Sequence, residues 1–353
     1  MPRLLPRLLT QARQQSNNLA ALLLACRDIQ SAKNELRWLT EFVNDSVPQS
    51  KIESRRLLAS LCQRRGRGVP LQYILGSQPF GPLDIKCRPG VLIPRPETEA
   101  YTYHLVDLIK SDRTLRGNNK VLRVFDFCTG SGCIALLLYA LLGPSFRNIH
   151  VEGVDVSSDA VELARHNINH NVGLENIPPS HPGQTLSVLE GNIFNDEIIA
   201  ALANSACDIL ISNPPYISQG VWDFGRGQLG YSVRKYEPRL ALVPNQELPA
   251  PTGWQRQDAF YSRLLDISLL LQPSMSLFEL GDESQARRVL AGLFCHDVAD
   301  HAEVEVWRDW PDLSPANGEK NTLTISLEKG SRSVAVKGSG QIRSMFVRFQ
   351  WDK

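Results

Sequence analysis

The sequence predicts an α/β protein, a largely parallel sheet covered by helices and preceded by a small all-helical domain. Three observations predict it. From Val121 onward, short apolar strands alternate with loop and helix patterns, the grammar of repeated βα units. Before residue 72 the apolar spacing is helical. Between the two lies a stretch broken by Gly and Pro that reads as a β-hairpin connector. The expected divisions are residues 1–72, 73–95 and 96–353.

The chain opens with Arg3, Arg7 and Arg13, many leucines and no acid before Asp28. An Arg-rich, acid-poor start is the composition of a mitochondrial transit peptide, so a leader over about residues 1–25 is expected. The competing reading is a basic first helix of the mature domain. Leu36, Leu39 and Phe42 then share one helical face, as do Ile52, Leu57, Leu58 and Leu61. Ser50 with Glu53 three residues on forms a capping box, and Gly66 and Gly68 end the helix. Residues 70–99 shorten to strand-like pieces that lead to the turn Pro94-Arg95-Pro96. A helix opening on acids follows from about Glu97.

"VLRVFDF" is the first sheet strand, "CTGSG" a glycine turn and "CIALLLYALL" a helix. "VEGVDVS", "LSVLEGNIF", "CDILISNPPY" and "MSLFELG" are further strands with helices between them, and "AEVEVWRDW" and "IRSMFVRFQW" are the last two. The polar stretch 311–340 reads as a mobile insertion.

Composition narrows the function. Lys+Arg 38 against Asp+Glu 37 gives +1, which is not the basic footprint of a nucleic-acid binder. The charge is uneven, with 12 basic and 5 acidic residues in 1–72 and a net acidic remainder. Seven scattered cysteines without a CxxC pair indicate a reducing compartment and argue against a structural zinc or a disulfide framework. No metal site is expected. No apolar run approaches the roughly 20 residues of a membrane span.

The chemistry gathers at strand ends, where open α/β sheets bind ligands. Cys128-Thr129-Gly130-Ser131-Gly132 makes a strand-to-helix turn whose glycines let a ligand approach the backbone. A tight βα turn without a ligand and a dinucleotide site are the alternatives, the latter weakened because Ala135 stands at the third glycine position. Asp155 ends the next strand, 23 residues beyond Gly132, placed to accept ribose hydroxyls. Asn192 could bond an adenine amine and Ile193 could pack on a purine face. Asn213-Pro214-Pro215-Tyr216 closes the fourth strand, its prolines fixing the backbone that carries the Asn.

Taken in order, these features resemble class I S-adenosyl-L-methionine-dependent methyltransferases, and among them those carrying an [NDS]PP[YFW] tetrapeptide. The resemblance implies a Rossmann-like seven-stranded sheet and methylation of a planar nitrogen: adenine N6, cytosine N4 or a glutamine amide. It also implies that the Asn213 side-chain oxygen and the Pro214 carbonyl accept the two N–H bonds of that nitrogen, while Tyr216 packs against the planar group.

The flanking sequence is more specific. "LIPRPETE", "DFCTGSGCIAL", "NPPYI", "YEPRLAL" and "FELG" resemble the HemK/PrmC family, the peptide chain release factor N5-glutamine methyltransferases, over roughly residues 35–350. The resemblance implies S-adenosyl-L-methionine as cofactor and the GGQ glutamine of a class 1 release factor as substrate. Stable nucleic-acid binding and membrane association are not expected. The location implied is the mitochondrial matrix, or else the cytoplasm if the first residues are no leader.

Cys128 to Gly132 would bracket the methionine part of the cofactor, Asp155 its ribose, and Asn192 with Ile193 its adenine. Arg95, Glu97 and Thr98 match the family's fixed turn near the pocket. Asn192 replaces a common Asp, Ile193 a frequent Trp, and Cys128 a Gly, the last tolerable with a negative φ. A DNA or RNA amino-methyltransferase is the rival. It would need a basic groove or a recognition domain.

Overall fold

A computed structural model describes residues 4–46, 50–116, 120–203, 206–225, 228–328 and 330–351. Arg3 of the expected leader, the tip of the polar break at 117–119 and residues 226–227 after the tetrapeptide lie outside the described residues.

The chain forms two compact units. The first comprises Met1–Gln78, Cys87–Pro89 and Gly220–Glu237. It opens with α1 (Pro6–Gln15), α2 (Asn17–Cys26), α3 (Ile29–Ser46), α4 (Lys51–Gly66) and α5 (Leu71–Leu75). Ala12, Leu19, Leu22, Leu23, Leu39 and Cys62 form its buried centre. The expected capping box is present: Ser50 Oγ accepts Glu53 N–H at 3.4 Å and the Glu53 carboxylate accepts Ser50 N–H at 3.2 Å. Gly66 ends α4 where a Cβ would lie 2.4 Å from the Ala21 carbonyl oxygen, so glycine is what lets α4 close onto α2. Arg65 grips Glu35 through two bonds of 2.7 and 3.0 Å, joining α4 to α3. The strand-like reading of residues 70–75 fails, because Leu71–Leu75 is a short helix stopped by Gly76 at φ +80°. Its apolar run is too short for periodicity to separate helix from strand.

The two-stranded hairpin is β1 (Ser77–Phe80) with β2 (Leu83–Lys86). Then come α6 (Pro96–Ser111), β3 (Leu122–Phe127), α7 (Cys133–Leu142), β4 (Ile149–Asp155), α8 (Ser158–Gly173), β5 (Gln184–Glu190), α9 (Asp196–Ala203) and β6 (Ile209–Ser212). The chain continues through α10 (Gln219–Phe224), α11 (Tyr231–Tyr236), α12 (Ala259–Leu271), β7 (Met275–Glu279), α13 (Glu283–Phe294), β8 (Ala302–Trp310), β9 (Thr322–Leu327), β10 (Gly330–Lys337) and β11 (Ser339–Phe349).

The large sheet has the order β5-β4-β3-β6-β7-β11-β8-β10-β9. The first five strands are parallel, and β11 runs antiparallel to both β7 and β8. These strands with β8 make the expected seven. The other two correct the reading of 311–340 as an insertion without structure of its own. β10 pairs parallel with β8, and β9 pairs antiparallel with β10. Leu323, Ile325, Val334 and Val336 alternate with exposed residues and are buried in the core beneath α13. The segment's overall polarity masked that period of two.

The winding reverses at β3, which has β4 on one side and β6 on the other. That switch point opens a crevice at the strands' carboxyl ends. Residues 220–237, which the sequence reading assigned to the 96–353 domain, belong with the helices instead. There the Tyr236 hydroxyl donates to the Arg67 carbonyl at 3.4 Å, and the Tyr231 ring lies 2.8 Å from where a Cβ on Gly68 would sit.

Candidate active site

A cavity of about 440 Å³ opens at the switch point, within the roughly 300–1,000 Å³ of small-molecule sites. Its wall carries Cys128 to Ser131 after β3, Asp155 at the end of β4, Asn192 and Ile193 after β5, and Asn213 and Pro215 after β6. Four motifs far apart in sequence therefore meet because four parallel strands end side by side. Arg95 and Thr98 also line it.

The glycine turn is held from below and from the side. Asp126 is fully buried; its Oδ2 accepts the Thr129 hydroxyl at 2.6 Å and the Ala135 N–H at 3.2 Å. Burial pushes its carboxyl up to about 7, against those two donors. The buried Asn167 of α8 donates to the Ser131 carbonyl at 2.9 Å and accepts Lys86 N–H at 2.7 Å, anchoring the turn to β2.

Three alternate residues of the turn take a positive φ, Cys128 at +60°, Gly130 at +56° and Gly132 at +80°. The negative φ that would have made Cys128 easily tolerable is not found: the position keeps a glycine-like geometry although it carries a side chain. A Cβ on Gly130 would meet no atom within 4 Å, so the cavity reaches the backbone there. At Gly132 the same atom would lie 2.9 Å from Leu136 and 3.1 Å from Ala164, so that glycine serves close packing.

Asp155 is tied to this turn. Its Oδ2 accepts the Gly130 N–H at 2.8 Å and its Oδ1 accepts the Ser157 N–H at 2.9 Å. Burial raises its carboxyl above the ordinary range, opposed by these backbone donors. Each oxygen retains a lone pair for a ligand hydroxyl.

Across the cavity, Ile193 is buried and its carbonyl accepts Arg263 Nε at 2.7 Å. The exposed Asn192 accepts the Phe194 N–H through its own Oδ1 at 3.0 Å, an Asx turn that occupies the oxygen. Beside them Phe194 meets Phe260 edge to face, with centroids 5.1 Å apart, and both rings line the cavity. The sequence reading named neither phenylalanine. Phe194 directly follows Ile193, but nothing local in α12 marked Phe260.

Of the tetrapeptide, Pro214 and Pro215 are buried, and Asn213 lines the cavity, its side chain making no hydrogen bond to any described residue. Tyr216 does not line the cavity. Its hydroxyl donates to Glu279 Oε1 at 3.1 Å, and its carbonyl accepts Gln285 Nε2 at 3.3 Å. Glu279 also accepts the hydroxyls of Thr98 at 2.7 Å and Tyr101 at 2.8 Å. Glu97 is half-buried and stands outside the cavity wall. The sequence reading quoted "FELG" but gave Glu279 no role.

The residues present fit S-adenosyl-L-methionine. A turn open at Gly130, a carboxylate with spare lone pairs and an apolar aromatic rim suit a methionine tail, a ribose and a purine respectively. No cluster of metal-ligating residues is found among the described residues.

A family model for the methyltransferase small domain matches residues 112–226. Fold, switch-point cavity and this match together define a class I S-adenosyl-L-methionine-dependent methyltransferase. Relatives narrow the class. A probable mitochondrial N(5)-glutamine methyltransferase of MRF1 from Schizosaccharomyces pombe is 36% identical over 270 residues, covering 75% of this chain and 81% of the relative. The mitochondrial MRF1 N(5)-glutamine methyltransferase of Saccharomyces cerevisiae is 35% identical over 274 residues, covering 76% and 77%. A release factor glutamine methyltransferase from Chlorobaculum tepidum is 33% identical over 255 residues, covering 71% and 74%. The chain belongs to the release factor N(5)-glutamine methyltransferase family.

Proposed function

We propose that this chain methylates the side-chain amide nitrogen of the glutamine in the GGQ loop of a class 1 release factor in mitochondria. The donor is S-adenosyl-L-methionine, which supplies an electrophilic methyl group on a sulfonium. The observation that carries the reading is Asn213: a half-buried residue that lines the cavity, its amide without a hydrogen-bond partner among the described residues, on a backbone fixed by two buried prolines.

An amide nitrogen is a poor nucleophile because its lone pair is delocalised into the carbonyl. The Asn213 Oδ1 and the Pro214 carbonyl accept its two N–H bonds and draw the nitrogen toward tetrahedral geometry, which aims the lone pair. Positive charge grows on that nitrogen as the bond to methyl forms, so the two acceptors stabilise the transition state more than the ground state. The rigid tetrapeptide supplies alignment. The excess proton of the product leaves to Asn213 or to water.

Cys128 to Ser131 hold the methionine part of the donor, Asp155 the ribose hydroxyls, and Ile193 with the Phe194–Phe260 pair the purine. Arg95 and Thr98 form the wall that the substrate loop meets. The yeast relatives' names place those enzymes in mitochondria, and the Arg-rich start of this chain agrees. No helix among the described residues is long and apolar enough to cross a membrane. The test is transfer of labelled methyl to a purified mitochondrial release factor. Label is expected on the wild-type factor and lost when its GGQ glutamine is replaced. Label on oligonucleotides and none on the factor would establish the nucleic-acid alternative.

A further inference from the structure

We propose that Glu279 is a positioning residue for methyl transfer: its carboxylate locks Tyr216 to Thr98 and so holds the tetrapeptide at a fixed place against the cavity wall. The inference rests on the assignment of Asn213 and Pro214 as the amide acceptors.

Glu279 ends β7, the neighbour of the strand that carries the tetrapeptide. The register pairs Ser212 with Phe278, so Asn213 and Glu279 leave the sheet side by side. The residue is 2% exposed. A carboxylate so deeply buried is costly unless donors surround it, and a well-packed apolar side chain would serve stability better. Here the donors are three hydroxyls from two separate places: Thr98 and Tyr101 on α6 at 2.7 and 2.8 Å, and Tyr216 of the tetrapeptide at 3.1 Å. Burial raises its carboxyl above the usual range, while the Thr98 and Tyr101 hydroxyls and the charge of Arg343 pull it back. A fourth hydroxyl, that of Tyr261, donates to the Glu279 backbone carbonyl at 2.7 Å and fixes the strand end itself.

Tyr216 is thus held at several points. Gln285 bonds its carbonyl, and a Cβ on Gly281 would sit 3.0 Å from its ring, so the backbone there lies flat against it. Of these restraints, the Glu279 carboxylate is the one that connects Tyr216 to a residue lining the cavity, Thr98. Asn213 and Pro214 lie three and two residues before Tyr216 on a proline-stiffened chain, so a shift of the ring passes directly to the two acceptor oxygens. Misplacement by about 1 Å in such a site lowers rates about 10²-fold.

The experiment uses the full chain, a mitochondrial release factor and labelled S-adenosyl-L-methionine, and compares wild type with Glu279→Gln, Tyr216→Phe and the double variant. Glutamine keeps the shape but replaces one acceptor oxygen by a donor that opposes a hydroxyl. Glu279→Gln is expected to lower kcat tenfold or more, with KM for the donor changed less than about threefold and the folded fraction, followed by circular dichroism, retained. Tyr216→Phe is expected to lower kcat by a smaller factor, and the double variant to lose no more than Glu279→Gln alone.

Unchanged kcat in folded Glu279→Gln, or losses that multiply in the double variant, would overturn the proposal. Should Glu279→Gln fail to fold, Tyr216→Phe decides: kcat equal to wild type rejects the positioning role, and a lower kcat at unchanged KM supports it. Wild-type protein that leaves the factor's glutamine unlabelled overturns the functional reading and this inference together. Normal wild-type turnover with an indifferent Glu279→Gln overturns the inference alone.

Discussion

The Asp155 carboxylate accepts the Gly130 backbone N–H at 2.8 Å, so the acid that closes β4 and the glycine turn that follows β3 form one bonded unit. Two adjacent parallel strands deliver the two halves, and the bond sets both before any ligand arrives. Replacing Asp155 by Ala removes the proposed ribose acceptor and frees the turn. It should weaken S-adenosyl-L-methionine binding by roughly 10- to 100-fold, in line with about 1.5–3 kcal/mol for a hydrogen bond to a charged group. Isothermal titration checks this, and an unchanged Kd would remove Asp155 from the donor site.

Asn213→Ala deletes one of the two acceptors proposed for the substrate amide nitrogen. Turnover should fall by roughly 10²-fold or more with only a modest change in donor affinity. Steady-state kinetics beside a donor-binding titration separate the two. Equal losses in both would make Asn213 a donor-binding residue.

Cys128 holds φ +60° with a side chain attached. That conformation costs an L-residue roughly 1–2 kcal/mol, and glycine gives back about 0.5–1 kcal/mol through its freer unfolded chain. Cys128→Gly should therefore stabilise the protein by about 0.5–1 kcal/mol. Cys128→Val, branched at Cβ, should destabilise it. Denaturant midpoints of the three proteins give the order.

Asp126 titrates at about 7 in the folded protein because it is buried, against an ordinary value of 3.8. The folded state therefore binds the proton more tightly than the unfolded chain does. Its contribution to stability is fully present below about pH 4 and is lost as pH rises toward 7, with a slope of up to about 1.4 kcal/mol per pH unit. Asp126→Asn cannot titrate, so its stability relative to wild type should increase between pH 4 and pH 7. Urea unfolding at several pH values measures the difference, and a constant difference would contradict the assignment.

Ile325 of β9 is 1% exposed in the core beneath α13. Ile325→Ala should cost about 2–4 kcal/mol, the usual loss for truncating a buried branched side chain. No change in the unfolding midpoint would mean that the segment carries no fold energy.

Sequence and structure agree where a residue's local pattern is also its tertiary role. The βα alternation marked the central strands, most clearly β6 and β7, which are buried throughout and read as largely apolar runs. The glycine turn, Asp155, Ile193 and Asn213 stood out in the sequence because they fall at strand ends, where the cavity opens. What escaped depends on partners far away in the chain. Glu279 reads as an ordinary strand-end acid until Thr98, 181 residues earlier, is seen donating to it. Phe260 looks like one more apolar helix position until Phe194 stands against it. The Cys128 backbone angle follows from the turn's geometry, to which the residue's own preference yields.

The return of Gly220–Glu237 to the helices makes the amino-terminal unit a structure written in two distant passages of the gene. Shortening the protein to start at Pro79 would strip α11 of its packing partners Arg67 and Gly68 and leave Tyr231 and Tyr236 without those contacts, in the segment that follows the tetrapeptide. The catalytic half is therefore no interchangeable cassette. Recombination that swapped the first 78 residues for those of a relative would have to bring a matching 220–237 with them.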